Sequence, residues 1–242
     1  MLKIHSIETF GAHEGPGIRT VFFLQGCGFK CLYCHNPDTI SMKGGTEMSD
    51  EQLLKIVENN KIYFGKKGGV TASGGEPTLQ AKGLITLFKE LQNRGINTTL
   101  DTNGFVLNDD VAELLKYTDL VLLDIKHIDD KKHKLLTGQS NKNTLDFLDY
   151  IEQNNIKFWI RHVLVPDYTD NEEDIEKLGK YLQKYKSLER LEILPYHTMG
   201  VFKWKELKMK YGLEGIEQPT RESIEKCVGI LKKYLGNVYV RG

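Results

Sequence analysis

An excess of charge is the first thing this 242-residue chain lacks: 33 lysines and arginines balance 33 aspartates and glutamates, for a formal net charge of zero. No basic field points to nucleic acid, and no polybasic stretch points to an anionic membrane. Long apolar runs are missing too. No stretch is long enough to span a bilayer, and the N-terminal MLKIHSIETF has no signal-peptide core. The expected location is therefore the cytoplasm. There is no low-complexity tract and no internal repeat. Cysteine is scarce, with four residues in all. The 40% hydrophobic and 27% charged residues are ordinary for a globular protein, long enough to bury a core without disulfides.

What is present is an alternation of short apolar or β-branched runs with amphipathic ones, the pattern of repeated βα units and a parallel sheet. Strands are expected at Thr20–Gln25, Gly69–Ala72, Ile96–Asp101, Leu120–Asp124, Phe158–Val165 and Leu191–Leu194, with a terminal strand at Val238–Val240. Helices are expected around Leu53–Val57, started by a Ser49/Gln52 capping box, and at Ala81–Arg94 with Gly95 as its C-terminal cap. Others are expected at Asp109–Lys116, Asn143–Gln153 and Arg221–Tyr234, with one after Asp170, which caps it together with Glu173. Six βα units fall short of a closed eight-stranded barrel. They predict an α/β fold with a partial, open (β/α)6 barrel, to which the N-terminal segment can add. A doubly wound open sheet would give the same pattern. A single domain is expected over 1–242. The charge run Asp129–Lys134 and the lysines from Lys203 to Lys210 read as solvated faces, the latter also as a partner surface beside Trp204 and Tyr211.

Three of the cysteines fall within eight residues, in GCGFKCLYCHN at 26–36, spaced Cys-x3-Cys-x2-Cys. Clustered cysteines in a cytosolic protein bind metal or do chemistry more often than they form disulfides. Thiolates suit zinc or an iron–sulfur cluster. A closed zinc site needs four ligands, and His35 is poorly placed to join its neighbour Cys34 on one ion. Three thiolates on a four-iron cluster leave one iron open to a small molecule. A structural zinc knuckle is the alternative. Cys227 stands alone in a helix-like segment and reads as a small buried hydrophobe.

Polar motifs follow the strands in order: Ser73-Gly74-Gly75-Glu76, Asp101-Thr102-Asn103-Gly104, Asp124-Ile125-Lys126, and Tyr196-His197, with Arg161 on the fifth strand. Strand C-terminal ends are where barrel-type α/β enzymes place their sites. A structural zinc site leaves these motifs unexplained.

The cysteine spacing, with Tyr33 just before the last cysteine, resembles the radical S-adenosylmethionine superfamily. The segments HSIETFGAHEGPGIRTVFFLQGCGFKCLYCHNPDT, VTASGGEP, LDTNGF, LLDIKH, WIRHVLVP and LPYH together resemble the activating enzymes of glycyl-radical enzymes. No ferredoxin-like insert follows the cysteine motif, which favours the short type that acts on pyruvate formate-lyase. The resemblance implies a 4Fe-4S cluster on Cys27, Cys31 and Cys34. That cluster passes an electron to S-adenosylmethionine, and the resulting 5′-deoxyadenosyl radical takes a hydrogen atom from a glycine of formate acetyltransferase under anaerobic conditions. A flavodoxin or ferredoxin would donate the electron, and the enzyme is expected to be a monomer. An activase of another glycyl-radical enzyme, a small-molecule radical enzyme and a non-enzymatic zinc or electron-carrier protein are the alternatives.

The same resemblance implies residue roles. Tyr33, Cys34 and His35 place backbone groups against the adenine. Gly75 holds the methionine amino group, while Glu76 braces the loop. Asp124, Ile125, Lys126 and His197 contact S-adenosylmethionine. Arg161 holds a carboxylate or ribose, or else pairs with an acidic neighbour. Asp101, Thr102 and Asp124 form a candidate monovalent-cation site. Glu14 stands before Gly15-Pro16-Gly17 where the family pattern has aspartate, which leaves partner contacts there open.

Overall fold

A computed structural model describes residues 1–241; Gly242, the last residue of the expected domain, lies outside the described residues. The chain divides into two compact units. The first is Met1–Gly28 with Thr39–Leu122, and the second is Phe29–Asp38 with the chain from Leu123 onward. Among the described residues, no helix is long and apolar enough to cross a membrane.

The first unit is built on β1 (Leu2–Gly11), β2 (Arg19–Leu24), β3 (Thr46–Met48), β4 (Gly69–Gly74), β5 (Asn97–Thr102) and the start of β6 (Leu120–Asp124), in the order β3-β1-β2-β4-β5-β6. β1 runs antiparallel to β2 and β3, whereas β2, β4 and β5 are parallel. The extra N-terminal strand is β1, and short β3 was not expected. Every residue of β4 but the last is buried, as parallel strands covered on both faces require. Of the helices here, α1 (Asp50–Asn60) starts with the expected capping box: Ser49 Oγ accepts from Gln52 N, and Gln52 Oε1 accepts from Ser49 N at 2.8 Å. α2 (Ala81–Asn93) buries Ala81, Leu84, Leu87, Phe88 and Leu91, a stripe at helical spacing. Each buried leucine there stabilises the unit by about 1.5–3 kcal/mol. The chain leaves α2 through Gly95 at φ 67°, the left-handed cap expected from sequence. α3 (Asp109–Leu115) is capped by Asn108.

The second unit contains the last two residues of β6, then β7 (Phe158–Leu164), β8 (Leu188–Pro195) and β9 (Val238–Val240), in the order β6-β7-β8-β9. β7, β8 and β9 are parallel. The strand order ends at β3 and at β9 without closing into a ring, the open arrangement expected from six βα units.

Helices α4 (Asp130–Thr137), α5 (Lys142–Gln153), α6 (Glu172–Leu182), α7 (Val201–Glu206) and α8 (Arg221–Leu231) complete the unit. The charge run 129–134 is solvated as expected at Lys131, Lys132 and Lys134, and it also starts α4: Asp129 caps it, Lys132 pairs with the buried Asp174, and His133 is fully buried. Two expectations are corrected here. The cap of α6 is Asn171, whose side chain accepts from Asp174 N, while Asp170 accepts from Asp167 N instead. The lysines of 203–210 do not share one helix face, because α7 stops at Glu206.

Candidate functional site

The cysteine loop leaves β2, passes into the second unit after Gly28 and returns at Thr39. Its first turn is fixed by backbone. Gly26 adopts φ 101°, which favours glycine, and its N–H donates to Thr39 O at 2.7 Å; Cys27 N donates to Ile40 O at 3.1 Å. Gly75 lies so close that a Cβ there would sit 2.1 Å from Gly26 O, and Glu76 N donates to that same oxygen at 2.7 Å. The glycine pair at 74–75 therefore has a reason inside the protein: it lets the β4 loop pack backbone-to-backbone on the cysteine loop.

Glu76 braces this corner. It is fully buried, and it accepts from Thr78 N, Thr78 Oγ1, Thr102 Oγ1 and Asn103 N at 2.6–2.9 Å. Burial pushes its carboxyl above the usual range, while these four donors pull the other way. Four donors and no acceptor suit the carboxylate. Thr102 spends its hydroxyl on Glu76 and also accepts from Gly104 N. Asp101 Oδ2 accepts from Ser73 Oγ at 2.7 Å. Asn103, which drew no assignment from sequence, aims its amide Nδ2 at Cys27 Sγ, 3.7 Å away. Arg19 was also missed. It is buried at the far end of β2, and donates to Thr71 Oγ1, to the carbonyls of Pro16 and Val70, and to Asn97 Oδ1, pinning the Gly15–Gly17 turn. Glu14 contributes its carbonyl to Thr71 Oγ1.

The second unit holds the rest of the loop by both backbone and side chains. Lys30 N and Leu32 N donate to Thr137 O and Leu136 O at the end of α4. Cys34 O accepts from Trp204 Nε1 at 2.8 Å, and Lys203 Nζ reaches Asn36 Oδ1 at 2.9 Å and Asp38 Oδ2 at 3.2 Å. His35 stacks on His197 with ring centroids 4.2 Å apart. Its Nε2 bonds His197 O at 3.1 Å, and since a carbonyl only accepts, the proton sits on that nitrogen. Burial lowers the pKa of both rings, that of His35 further through His197, so both are neutral at pH 7. His197 keeps its Nδ1 buried without a hydrogen-bond partner. Gly200 abuts His35, where a Cβ would stand 2.7 Å from the His35 Cα.

Lys126 donates to Asp124 Oδ2 at 2.7 Å and lies 5.8 Å from the centre of the Tyr33 ring. Burial is the largest influence and penalises its ammonium, but Asp124 together with Tyr33 and Cys31 outweighs it and holds the lysine well above its usual range. Ile125 is fully buried. Its N–H donates to Arg161 O, and its carbonyl faces His162 Nδ1 at 2.8 Å. Arg161 is half-buried on β7, where its register partner is Glu192 of β8. Tyr33 is buried with an unpartnered hydroxyl, and burial raises its phenol far above the ordinary range.

Comparison with known proteins gives these residues a context. Residues 21–179 match the family model described as the radical SAM superfamily. A pyruvate formate-lyase-activating enzyme of Clostridium pasteurianum is 48% identical, over 97% of this chain and 99% of that protein. A pyruvate formate-lyase 1-activating enzyme of Escherichia coli is 44% identical, over 96% of each chain. A crystal structure of a domain of pyruvate-formate lyase-activating enzyme from Bacteroides vulgatus superposes with TM-score 0.61 at 25% identity, covering 72% of this chain and 99% of that one. The chain belongs to the pyruvate formate-lyase-activating enzymes of the radical SAM superfamily.

Enzymes of this superfamily use a 4Fe-4S cluster and S-adenosylmethionine, and the donor chemistry of the cysteine loop suits such a cluster. None of the four cysteines is in a disulfide. The soft-donor set of the loop is three thiols, with an amide donor on Cys27 and two lysines near Cys34 whose charge favours a thiolate against its burial. Among the described residues, no three His, Cys, Asp or Glu side chains form a group suited to one metal ion. Cys227 is buried in α8, and burial pushes its thiol up to about 12, as a small core residue and not a ligand.

Proposed function

We propose that this chain activates a pyruvate formate-lyase by generating its glycyl radical, and that Cys27, Cys31 and Cys34 hold the cluster. The observation that carries the reading is the near full-length identity to activating enzymes, joined to a cysteine motif with three thiols and no fourth in its loop. When bound, the cluster supplies one electron to S-adenosylmethionine, whose cleavage yields the radical that takes hydrogen from glycine.

The chain's own residues do the positioning. Glu76 and the glycines at 74–75 fix the shape of the β4 loop, which leaves Gly75 for the amino group of S-adenosylmethionine. Lys126, held charged by Asp124, offers a fixed cation to a carboxylate. His197 Nδ1 offers a buried acceptor to a ribose hydroxyl, and Arg161 is a guanidinium that could hold a carboxylate or ribose. Tyr33, Cys34 and His35 present backbone to the adenine, and the His35–His197 stack keeps that segment rigid. Thr102 spends its hydroxyl on Glu76, which leaves its carbonyl for a cation beside Asp101. Fixed geometry matters because the radical attacks whatever lies near it.

The wider reading is a single domain over 1–242, acting in the cytoplasm as a monomer with flavodoxin or ferredoxin as donor. The test is anaerobic mixing of reconstituted, reduced protein with S-adenosylmethionine and pyruvate formate-lyase. A glycine-centred doublet in electron resonance is expected. Cleavage of S-adenosylmethionine without that doublet would assign the chain to another glycyl-radical enzyme.

A further inference from the structure

We infer that α7 and the turn after it, residues 199–210, form the docking surface for an acidic one-electron carrier protein. The inference rests on the reading of Cys34 as a cluster ligand. Four large apolar side chains stand in solvent within this short segment: Met199 is 72% exposed, Phe202 56%, Leu207 42% and Met209 43%. Single exposed apolar residues need no explanation, but several in one short segment mark a candidate interaction site. Charge, mostly positive, is interleaved among them. Four lysines and one glutamate lie between Val201 and Tyr211, in a chain that is neutral overall. Lys203 turns inward to Asp38, whereas Lys205, Lys208 and Lys210 are exposed.

Lys208 carries a second mark. It sits at φ 55°, in the left-handed region, just past the end of α7. Lys208 N donates to Lys205 O and Met209 N to Trp204 O, the bonding pattern of a helix end that normally takes glycine. A lysine occupies the position despite the strain, and strain tolerated at an exposed charge points to use of that charge.

The inner side of the same helix supplies the redox logic. Trp204 donates to Cys34 O at 2.8 Å, and Lys203 grips Asn36 and Asp38. The helix that opens this apolar and basic segment thus touches the backbone of a proposed cluster ligand. Exposed apolar side chains set among lysines steer an acidic partner into a brief encounter, as electron carriers require. The electron passes from the reduced carrier to the oxidised cluster, and no bond is made or broken.

The test compares two reductants on the reconstituted holoenzyme. Cluster reduction is followed by bleaching of the visible absorbance, driven by reduced flavodoxin or by dithionite, at low and high salt. For Lys205→Glu/Lys208→Glu/Lys210→Glu, the flavodoxin rate at low salt falls by about tenfold or more and loses its salt dependence, while the dithionite rate is unchanged. Lys208→Gly removes one charge and relieves the backbone, so it melts no lower than the parent and slows the flavodoxin rate by about twofold. An unchanged flavodoxin rate in either variant overturns the proposal. So does glycyl-radical formation that falls with dithionite as the reductant, which would give this surface to the protein substrate. Parent protein without a reducible cluster would instead sink the reading of the cysteines.

Discussion

The two units present their site residues in opposite ways. In the first, backbone and neutral donors do the work: Gly26, Gly74 and Gly75 pack loop on loop, and Glu76 is surrounded by hydroxyls and amides. In the second, charge and aromatic surface dominate: Lys126 with Asp124, Lys203 with Asp38, His35 on His197, Trp204 on Cys34 O. Shape is therefore the vulnerable quantity in the first unit, and polarity in the second. An added methyl threatens one, and a lost hydrogen bond or a gained proton threatens the other.

The cysteines cut across this difference and give the largest effect. Cys27→Ala, in the first unit, and Cys34→Ala, in the second, are each expected to abolish cluster assembly, measured as iron and sulfide content, and with it all S-adenosylmethionine cleavage. Full iron content in either variant would remove that cysteine from the ligand set.

Next comes shape. Gly75→Ala places a Cβ 2.1 Å from Gly26 O, a backbone atom that cannot step aside. A loss of about 1–3 kcal/mol is expected in urea unfolding, together with a raised KM for S-adenosylmethionine. An unaffected variant would show that the β4 loop is looser than its packing indicates.

Polarity follows in the acid limb. His127 is 2% exposed, and burial lowers its pKa to about 4, with His162 adding to the effect and Asp174 opposing it. Its folded pKa lies below the unfolded value. Stability is therefore whole above about pH 6.5 and is lost as pH falls toward 4, where the unfolded chain takes up the proton first, by up to about 3 kcal/mol. His133 and His162 are buried in the same unit, and burial lowers both. Unfolding at pH 7 and pH 5 should show this loss, and His127→Asn should lessen it. An equal loss in that variant would place the acid sensitivity elsewhere.

The smallest expected change is Trp204→Phe. It keeps the packing on Tyr211 and removes only the donor to Cys34 O, at a cost of about 1 kcal/mol. Faster stripping of iron by a chelator, with unaltered cluster content at the start, is the sign to look for. Stripping at the parent rate would mean that the bond does not hold the loop.

Much of this was legible in residue order. The α1 capping box, the Gly95 cap and the strands from β4 to β8 follow from local pattern. Other features gave little signal. β1 alternates, but its exposed end, with Ser6, Glu8 and Phe10, carries no apolar run. The cap of α6 was displaced by one residue because Asp170, Asn171 and Glu173 all suit such an end. Trp204 and Asn103 carry no local signal of their contacts with the cysteine loop, since their partners are 170 and 76 positions away in the chain.

Sequence by itself determined the three-thiol motif, the βα alternation and the family, because spacing, periodicity and identity are properties of order along the chain. Only the tertiary structure decided why Gly75 must be glycine, what satisfies Glu76, and that α7 clamps the cysteine loop while lysines and methionines in and around it stay exposed. Those are contacts between segments far apart in sequence, and close packing and hydrogen-bond geometry exist only once the chain has brought them together.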